Sequence, residues 1–336
     1  MDVTTTAPTK RNLSAVITLF FVAPLVAEFL LGDLPLKLLP ALIMLAPMYG
    51  GGAVLIRETV RRTGRGWPSI LLLGAAYALI EEGFSTQSLF NHDYLKMHMH
   101  LLDPAYISAL GIGGWWTLFM LNVHTFWSIG VSIALVEGLV PEAAESPWMG
   151  RVGDAVVAVL FLLGVAASTA FQMKKDTFRA SHVQFLGIGV VCLVLIFAAF
   201  LLPVRSARTK RGFAPSPWLT GSLALVAGLI VMQTSPHLGW GAFAILLVVD
   251  AIFVPLTVLF SERIGWRPVH TFSLAAGGAI AYGLHAFIQQ PLIPGSVLMV
   301  RIGNVIFLAA AIAVIVVGAK RSSRLTVSPS GGTLNT

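Results

Sequence analysis

The sequence has little charge and almost no cysteine. Of its 336 residues, 11% are charged, whereas a soluble domain carries about 25% charged residues. Cys192 is the single cysteine, which excludes a disulfide bond within one chain. The chain also lacks a phosphate-binding loop, a dinucleotide fingerprint and a Cys-x-x-Cys motif. An ATP-driven activity of this polypeptide alone is therefore not expected.

Long apolar runs dominate the chain instead. Hydrophobic residues make up 56% of it, in continuous runs of about 20 residues, the length that crosses a bilayer as a helix. Lipid-facing backbone must satisfy its own hydrogen bonds, and runs without alternation favour helices over a barrel. The sequence predicts an all-α, polytopic transmembrane helix bundle of about ten spans. These lie near 13–32, 35–56, 67–90, 115–140, 152–172, 183–204, 218–234, 239–260, 269–289 and 295–319.

Basic residues indicate the orientation of the bundle. The formal charge of +7 comes from short clusters between spans, which is typical of cytoplasmic loops and does not indicate a nucleic-acid partner. An N-in/C-in topology places most Lys and Arg residues inside. We expect a short cytoplasmic N-terminus (1–12), a transmembrane domain (13–319) and a disordered cytoplasmic tail (320–336). The expected location is the plasma membrane, with the lipid bilayer as partner.

Ionisable residues inside the spans need a physical reason, because inserting one such side chain into the hydrocarbon core costs about 2.5–3.5 kcal/mol of free energy. Counting along each span at the helical rise places several of them in the outer half of the bilayer. The sequence therefore predicts one shared polar site there. Its candidate members are Glu28, Glu82, His124, His285, Arg301 and Asn304, whereas Asp250 lies nearer the midplane and Glu137 nearer the cytoplasm.

The adjacent pair Glu81-Glu82 is the sharpest feature of the spans. Neighbouring helix positions point about 100° apart, so the two carboxylates are not expected to face one partner squarely. One would bind a metal or activate water, while the other meets Arg301 or a neighbouring helix. Ser85 and Thr86 follow one turn later. The structural alternative is a buried Glu–Arg pair that fixes helix packing.

His124 and His285 lie on separate spans, with Ser128 and Gln289 one turn away from them. Two imidazoles and the Glu82 carboxylate would complete a zinc site. Two histidines can also hold a haem, or each can simply hydrogen-bond between helices. The candidate catalytic residues are thus Glu81, Glu82, His124 and His285, and the candidate metal ligands are His124, His285 and Glu82. The candidate substrate contacts are Glu28, Ser85, Ser128, Gln289, Arg301 and Asn304.

Two further polar stretches lie between spans. The run His92-Asp93 to His98-Met99-His100 offers metal-binding side chains, but its spacing matches no standard zinc pattern. Glu58 lies among arginines and is expected in a solvated inner loop that sets the topology.

The order of Glu81-Glu82, His124 and His285 resembles that of the CAAX-processing and bacteriocin-processing intramembrane protease family. That family carries a Glu-Glu motif, a histidine on the next core helix, and a later histidine followed four residues on by an amide, here Gln289. The resemblance implies that Glu81 or Glu82 activates water, while the two histidines position it or hold metal. The chain departs from the family at Gly83-Phe84-Ser85-Thr86, near which the family has an arginine, and in the wide gap between the histidines.

Three functions follow from these residues. The first is an intramembrane, peptidase-like hydrolase acting on a membrane-embedded substrate. The second is a proton-coupled or solute transporter that uses the same groups, with Glu28, Asp250 and Arg301 along its path. The third is a membrane scaffold whose polar side chains only pack helices. Membrane-embedded peptides, lipids or small solutes are the candidate ligands.

Overall fold

The computed structural model describes residues 11–204, 212–291 and 295–324. Within these ranges the chain forms ten helical rods, each close to one of the predicted apolar segments. Their β-structure is limited to one isolated bridge and an antiparallel pair, β1 (Tyr106–Ile107) with β2 (Ile112–Gly113). The predicted all-α membrane bundle is therefore confirmed. Most of the predicted N-terminal segment and tail lies outside the described residues.

The rods are built mainly from α-helices. These are α1 (Leu13–Pro24), α2 (Leu42–Arg62), α3 (Trp67–Leu79), α4 (Gly114–Asn122), α5 (Ser132–Leu139), α6 (Arg151–Lys175), α7 (His182–Leu201), α8 (Pro217–Gln233), α9 (Trp240–Ser261), α10 (Pro268–His285) and α11 (Val297–Arg324). Three π-helical segments extend or join them: Leu25–Leu30 after α1, Ile80–Ser85 after α3, and Val123–Val131 between α4 and α5. Short 3-10 turns lie at Leu36–Ala41, Tyr94–Lys96, Pro141–Ala143 and Pro236–Leu238.

Successive rods run in opposite directions between two ends of the bundle. At the basic end, Arg65 donates to the carbonyl of Phe200, and Arg321 donates to that of Leu139. At the loop end, which carries residues 86–113, Asn91 donates to Asp176. This alternation agrees with the predicted order of loops.

The number of spans is smaller than predicted. Among the described residues, seven rods are long and apolar enough to cross a membrane, so the count of ten spans is corrected to about seven. The helix Pro217–Gln233 is short. Polar and small residues lower the mean hydropathy of α10 and of α3 with its π-helical extension. Because α3 and α10 are largely enclosed by other helices, they do not need the apolarity that lipid contact demands.

Small residues let the inner helices approach closely. A Cβ atom on Gly277 of α10 would lie 2.1 Å from the carbonyl oxygen of Gly221 in α8. A Cβ atom on Gly50 of α2 would lie 1.9 Å from the carbonyl oxygen of Phe20 in α1. The outer helices differ, since only 6% of the most apolar window of α9 is buried, compared with 78% for the rod Gly114–Leu139. That rod therefore forms the centre of the bundle.

A buried ionic network lies at the basic end, where the sequence predicted a solvated loop. Glu58 is 1% exposed and accepts from the backbone N–H groups of Trp148 and Met149. Arg57 is fully buried, pairs with Glu58 and Glu137, and lies 3.5 Å from the ring centroid of Trp148. The prediction for Glu58 is thus wrong, because the 140–150 segment folds over the helix end and covers it.

Candidate functional site

The polar residues of three rods lie in π-helical segments. Glu28 lies in Leu25–Leu30, the pair Glu81-Glu82 in Ile80–Ser85, and His124 in Val123–Val131. The first segment follows Pro24, which has no N–H group for the usual helical hydrogen bond. A π-helical turn is rare, adds a residue to the turn, and is frequent at functional sites. Because such turns are rare, their presence in three rods that carry the polar residues is unusual.

His124 lies between the two adjacent carboxylates. Its Nε2 atom is 2.9 Å from Glu82 Oε1, and its Nδ1 atom is 3.1 Å from Glu81 Oε2. Both glutamates therefore meet the same imidazole, contrary to the prediction that they face different partners. The wider π-helical turn reduces the angle between successive side chains, and the ring presents a nitrogen to each. All three side chains are buried.

Hydroxyl groups fix the orientation of this cluster. Ser128 Oγ lies 3.2 Å from His124 Nδ1. Glu82 Oε2 accepts from the hydroxyls of Thr86, at 3.0 Å, and Ser88. Trp116 Nε1 in turn donates to Ser88 Oγ over 3.1 Å. The contributions of Ser88 and Trp116 were missed, because these residues lie outside the predicted motif and only the fold brings them to it.

One carboxylate oxygen of Glu81 makes fewer hydrogen bonds than those of Glu82. The Oε2 atom of Glu81 is buried and has no hydrogen-bond partner among the described residues, although it lies at ion-pair distance from His124. The hydroxyl of Tyr77 is buried and unpartnered in the same sense, and its ring centroid lies 6.2 Å from that of His124. Buried polar atoms without partners are uncommon, so these two atoms are available to contact a bound ligand.

Tyr49 connects a third carboxylate to the cluster. Its ring centroid is 6.2 Å from that of His124, and its hydroxyl donates to Glu28 Oε1. The cluster thus has three carboxylates near one imidazole, and the ion pairs of Glu81 and Glu82 in the described ranges are with His124. The network at the basic end differs, because its carboxylates are paired with buried arginines.

The second predicted histidine lies in a separate group. His285 Nε2 is 3.2 Å from Gln289 Oε1, and the Gln289 amide donates to Asp33 Oδ1 over 2.6 Å. Burial, with a smaller effect of the nearby Glu28, raises the pKa of Asp33 to about 7. The described groups with metal-ligand spacing include Glu81, Glu82 and His124 but not His285. The predicted ligand set of His124, His285 and Glu82 is therefore not the set that the fold brings together.

The remaining candidate residues have their hydrogen bonds with other partners. Arg301 is exposed and donates to the carbonyl of Phe287, so it does not pair with Glu81 or Glu82 as the sequence suggested. Asn304 donates to the carbonyl of Ala286. The remaining contacts place Ser85 with Thr169 and Asp250 with Asn122. Of the predicted substrate contacts, Ser128 lies at hydrogen-bond distance from His124, and Glu28 is joined to the cluster through Tyr49.

The cluster has the composition of a metal-binding centre. Glu81, Glu82 and His124 each offer one ligand atom, and these atoms lie within 4.8 Å of one another. Two carboxylates and an imidazole suit zinc and related divalent ions. The hydroxyls that hold Glu82 and His124 are the outer contacts that orient such ligands.

Comparison with known proteins gives the family of the chain but not its activity. No curated protein and no solved structure matches it. A family model described as an uncharacterised membrane protein family matches residues 17–321. The resemblance to CAAX-processing and bacteriocin-processing proteases is therefore wrong, and it rested on the order of a few residues, of which His285 lies outside the cluster. The chain belongs to this uncharacterised membrane protein family.

Proposed function

We propose that this protein is a metal-dependent intramembrane hydrolase, with Glu81, Glu82 and His124 as ligands of one zinc-like divalent cation. The convergence of these three buried side chains, with ligand atoms within 4.8 Å of one another, carries the proposal. Three protein ligands leave a fourth position for water, which is the arrangement of catalytic zinc sites.

The charge of the cluster supports a bound cation. Three carboxylates beside one imidazole carry excess negative charge when ionised, and a buried charge is costly unless it is paired. A divalent cation would offset that charge and would give Glu81 Oε2, which has no hydrogen-bond partner among the described residues, a contact beside its ion pair with His124. The arginine-balanced network at the basic end has no such excess, since Arg57 and Arg61 accompany Glu58 and Glu137.

The chemistry would be hydrolysis of an ester or amide bond. A zinc ion held by Glu81, Glu82 and His124 would lower the pKa of a water to about 7 and so would supply a nucleophile for a carbonyl carbon at neutral pH. The water oxygen bonds to that carbon, the bond to the alcohol or amine breaks, and the leaving group takes up a proton from the water. Because the cluster lies among helices that cross the membrane, its substrate would be a membrane-embedded peptide or lipid.

Metal analysis tests the proposal directly. We expect purified protein to retain one equivalent of zinc, measured by inductively coupled plasma mass spectrometry after chromatography without added metal. Glu82→Gln and His124→Ala should lose it, whereas His285→Ala, a histidine outside the cluster, should keep it. All four proteins should elute as folded monodisperse species. Zinc content unchanged in both cluster variants would overturn the ligand assignment.

A turnover assay tests the second half of the proposal. Protein reconstituted in vesicles with a quenched fluorescent peptide or lipid ester should release fluorescence, and the two cluster variants should not. Glu81→Gln should bind zinc more weakly and lose turnover. A zinc-loaded protein that hydrolyses neither a broad peptide library nor lipid esters would exclude hydrolysis of these substrate classes.

A second candidate is proton-coupled transport, which one observation favours. Both nitrogens of His124 face a carboxylate, an arrangement in which an imidazole can accept a proton on one side and release it on the other. In that case metal-free protein in vesicles should take up solute when a pH gradient is imposed, and His124→Ala should abolish uptake. A scaffold would show neither turnover nor uptake, and the cluster variants would then only lose stability.

A further inference from the structure

A second group of metal-ligand side chains lies in the long connection at the loop end, away from the buried cluster. It consists of His92, His100 and Asp103, whose ligand atoms lie within 4.8 Å of one another. His92 Nε2 is 2.7 Å from Asp103 Oδ1, and His100 Nδ1 is 3.7 Å from Asp103 Oδ2. The two imidazole centroids are 5.1 Å apart. Both histidines thus converge on one carboxylate.

The chain reverses direction to bring these residues together, and it does so without glycine. Lys96, His98 and His100 all have φ near +50°, at 58°, 53° and 49°. Non-glycine residues adopt this left-handed conformation rarely, and such conformations persist where surrounding contacts hold them. The return of His100 and Asp103 towards His92 is therefore a built feature of the connection.

Both sides of the group are anchored to the bundle. On the first side, Asp176 accepts from the Asn91 amide over 2.7 Å and from the Leu95 N–H over 3.0 Å. On the second side, Leu101 and Leu102 are 4% and 6% exposed, which fixes the backbone between His100 and Asp103. The three ligand side chains themselves stay accessible, at 52% for His92 and about 60% for the other two.

We propose that His92, His100 and Asp103 form a surface site for a divalent transition-metal ion such as zinc. Two imidazoles and a carboxylate match the ligand preference of zinc and its neighbours, and the fourth position would hold water. The exposure of the ligands lets the site exchange ions with bulk solvent. This site goes beyond the proposed hydrolase and does not depend on it, since its ligands are distinct from Glu81, Glu82 and His124.

His98 supplies a matched control within the same connection. Its Nδ1 atom lies 3.4 Å from Asp93 Oδ2, its side chain is 80% exposed, and it lies outside the three-residue group. Titration of purified full-length protein with zinc should reveal one exchangeable equivalent, counted separately from any zinc that is retained through purification. His92→Ala, His100→Ala and Asp103→Asn should raise its dissociation constant at least about tenfold, whereas His98→Ala should leave it unchanged.

Protease protection gives an independent measurement. Lys96 lies between His92 and His100 and is exposed, so trypsin should cut after it in the metal-free connection. Zinc should suppress this cut in the wild-type protein and in His98→Ala, but not in His100→Ala. Glu82→Gln should lose the buried ion yet keep zinc-dependent protection, which separates this site from the proposed hydrolase centre. Absence of an exchangeable zinc equivalent that His92→Ala and His100→Ala remove, or an equal loss in His98→Ala, would overturn the proposal.

Discussion

Arg61 and Glu137 form a two-pronged ion pair across the basic end of the bundle. Arg61 Nε lies 2.9 Å from Glu137 Oε1, and Arg61 Nη2 lies 2.7 Å from Glu137 Oε2. Arg57 contacts the same carboxylate and also donates to the carbonyls of Ala143 and Ala144. The pair thus joins α2 to α5 and to the 140–150 segment, and it keeps two buried arginines neutralised.

Replacing Glu137 by alanine should destabilise the protein strongly. The change leaves two buried guanidinium groups without their shared carboxylate, and breaking a buried pair costs about 3–5 kcal/mol. Glu142→Ala provides the control, because Glu142 lies nearby on an exposed position. Thermal unfolding in detergent should show a large drop in the midpoint temperature for Glu137→Ala and almost none for Glu142→Ala. Equal midpoints for the two variants would mean that the network contributes little.

Glycine substitutions should separate helix packing from helix propensity. Gly277→Ala places a methyl group 2.1 Å from the carbonyl of Gly221, so α8 and α10 must move apart. Overpacking of this kind costs about 1–3 kcal/mol. Gly187 in α7 has no atom within 4 Å of its added Cβ, so Gly187→Ala should be neutral or slightly stabilising, since alanine favours helix.

The two glycine variants are compared by the same unfolding assay. A lower midpoint for Gly277→Ala beside an unchanged or higher one for Gly187→Ala is the expected pattern. Similar midpoints would show that the α8–α10 contact relaxes without cost.

Sequence periodicity and hydropathy predicted the helices well, because bilayer thickness and backbone hydrogen bonding constrain them strongly. The span count was less accurate. Hydropathy alone does not distinguish a lipid-facing helix such as α9 from an enclosed one such as α10, whose small and polar residues face other helices.

The candidate site could be predicted only in part. The cost of charge in hydrocarbon singled out Glu81, Glu82 and His124, and the fold brings these together. Depth along a span does not give the direction of a side chain, so His285 and Arg301 were grouped with them although they lie elsewhere. The π-helical turns also have no reliable sequence signal, and they bring both glutamates to one imidazole.

If the proposed metal centre is correct, the hydroxyl contacts of Glu82 should tune its metal affinity without supplying a ligand. Ser88→Ala removes the hydroxyl that links Glu82 to Trp116, and loss of such outer contacts weakens metal binding about 10–100-fold. Ser85→Ala is the matched control, since its hydroxyl contacts Thr169 instead. Competition with a fluorescent zinc chelator should therefore show weaker binding for Ser88→Ala only. Equal affinities in the two variants would place Ser88 outside the metal centre.

The anchor at Asp176 should depend on pH in a defined direction. Burial acts to raise the pKa of this carboxyl, but donation from the Phe178 N–H, the Asn91 amide and the Leu95 N–H outweighs it and lowers the pKa below 3.8. The positive charge of Lys96 acts in the same direction. A carboxyl whose pKa is lower in the folded state stabilises that state above its unfolded value and loses the contribution as pH falls through the folded value.

Hydrogen exchange of the peptides that contain Leu95 and Phe178 measures this anchor. Protection, corrected for the intrinsic pH dependence of exchange, should stay constant from pH 8 to about pH 4 and fall only at lower pH. Asp176→Asn keeps the shape but removes the charge, so its protection should be weaker at pH 7 and nearly independent of pH, because an amide accepts hydrogen bonds less strongly than a carboxylate. A fall in wild-type protection already between pH 7 and pH 5 would contradict the lowered pKa of Asp176.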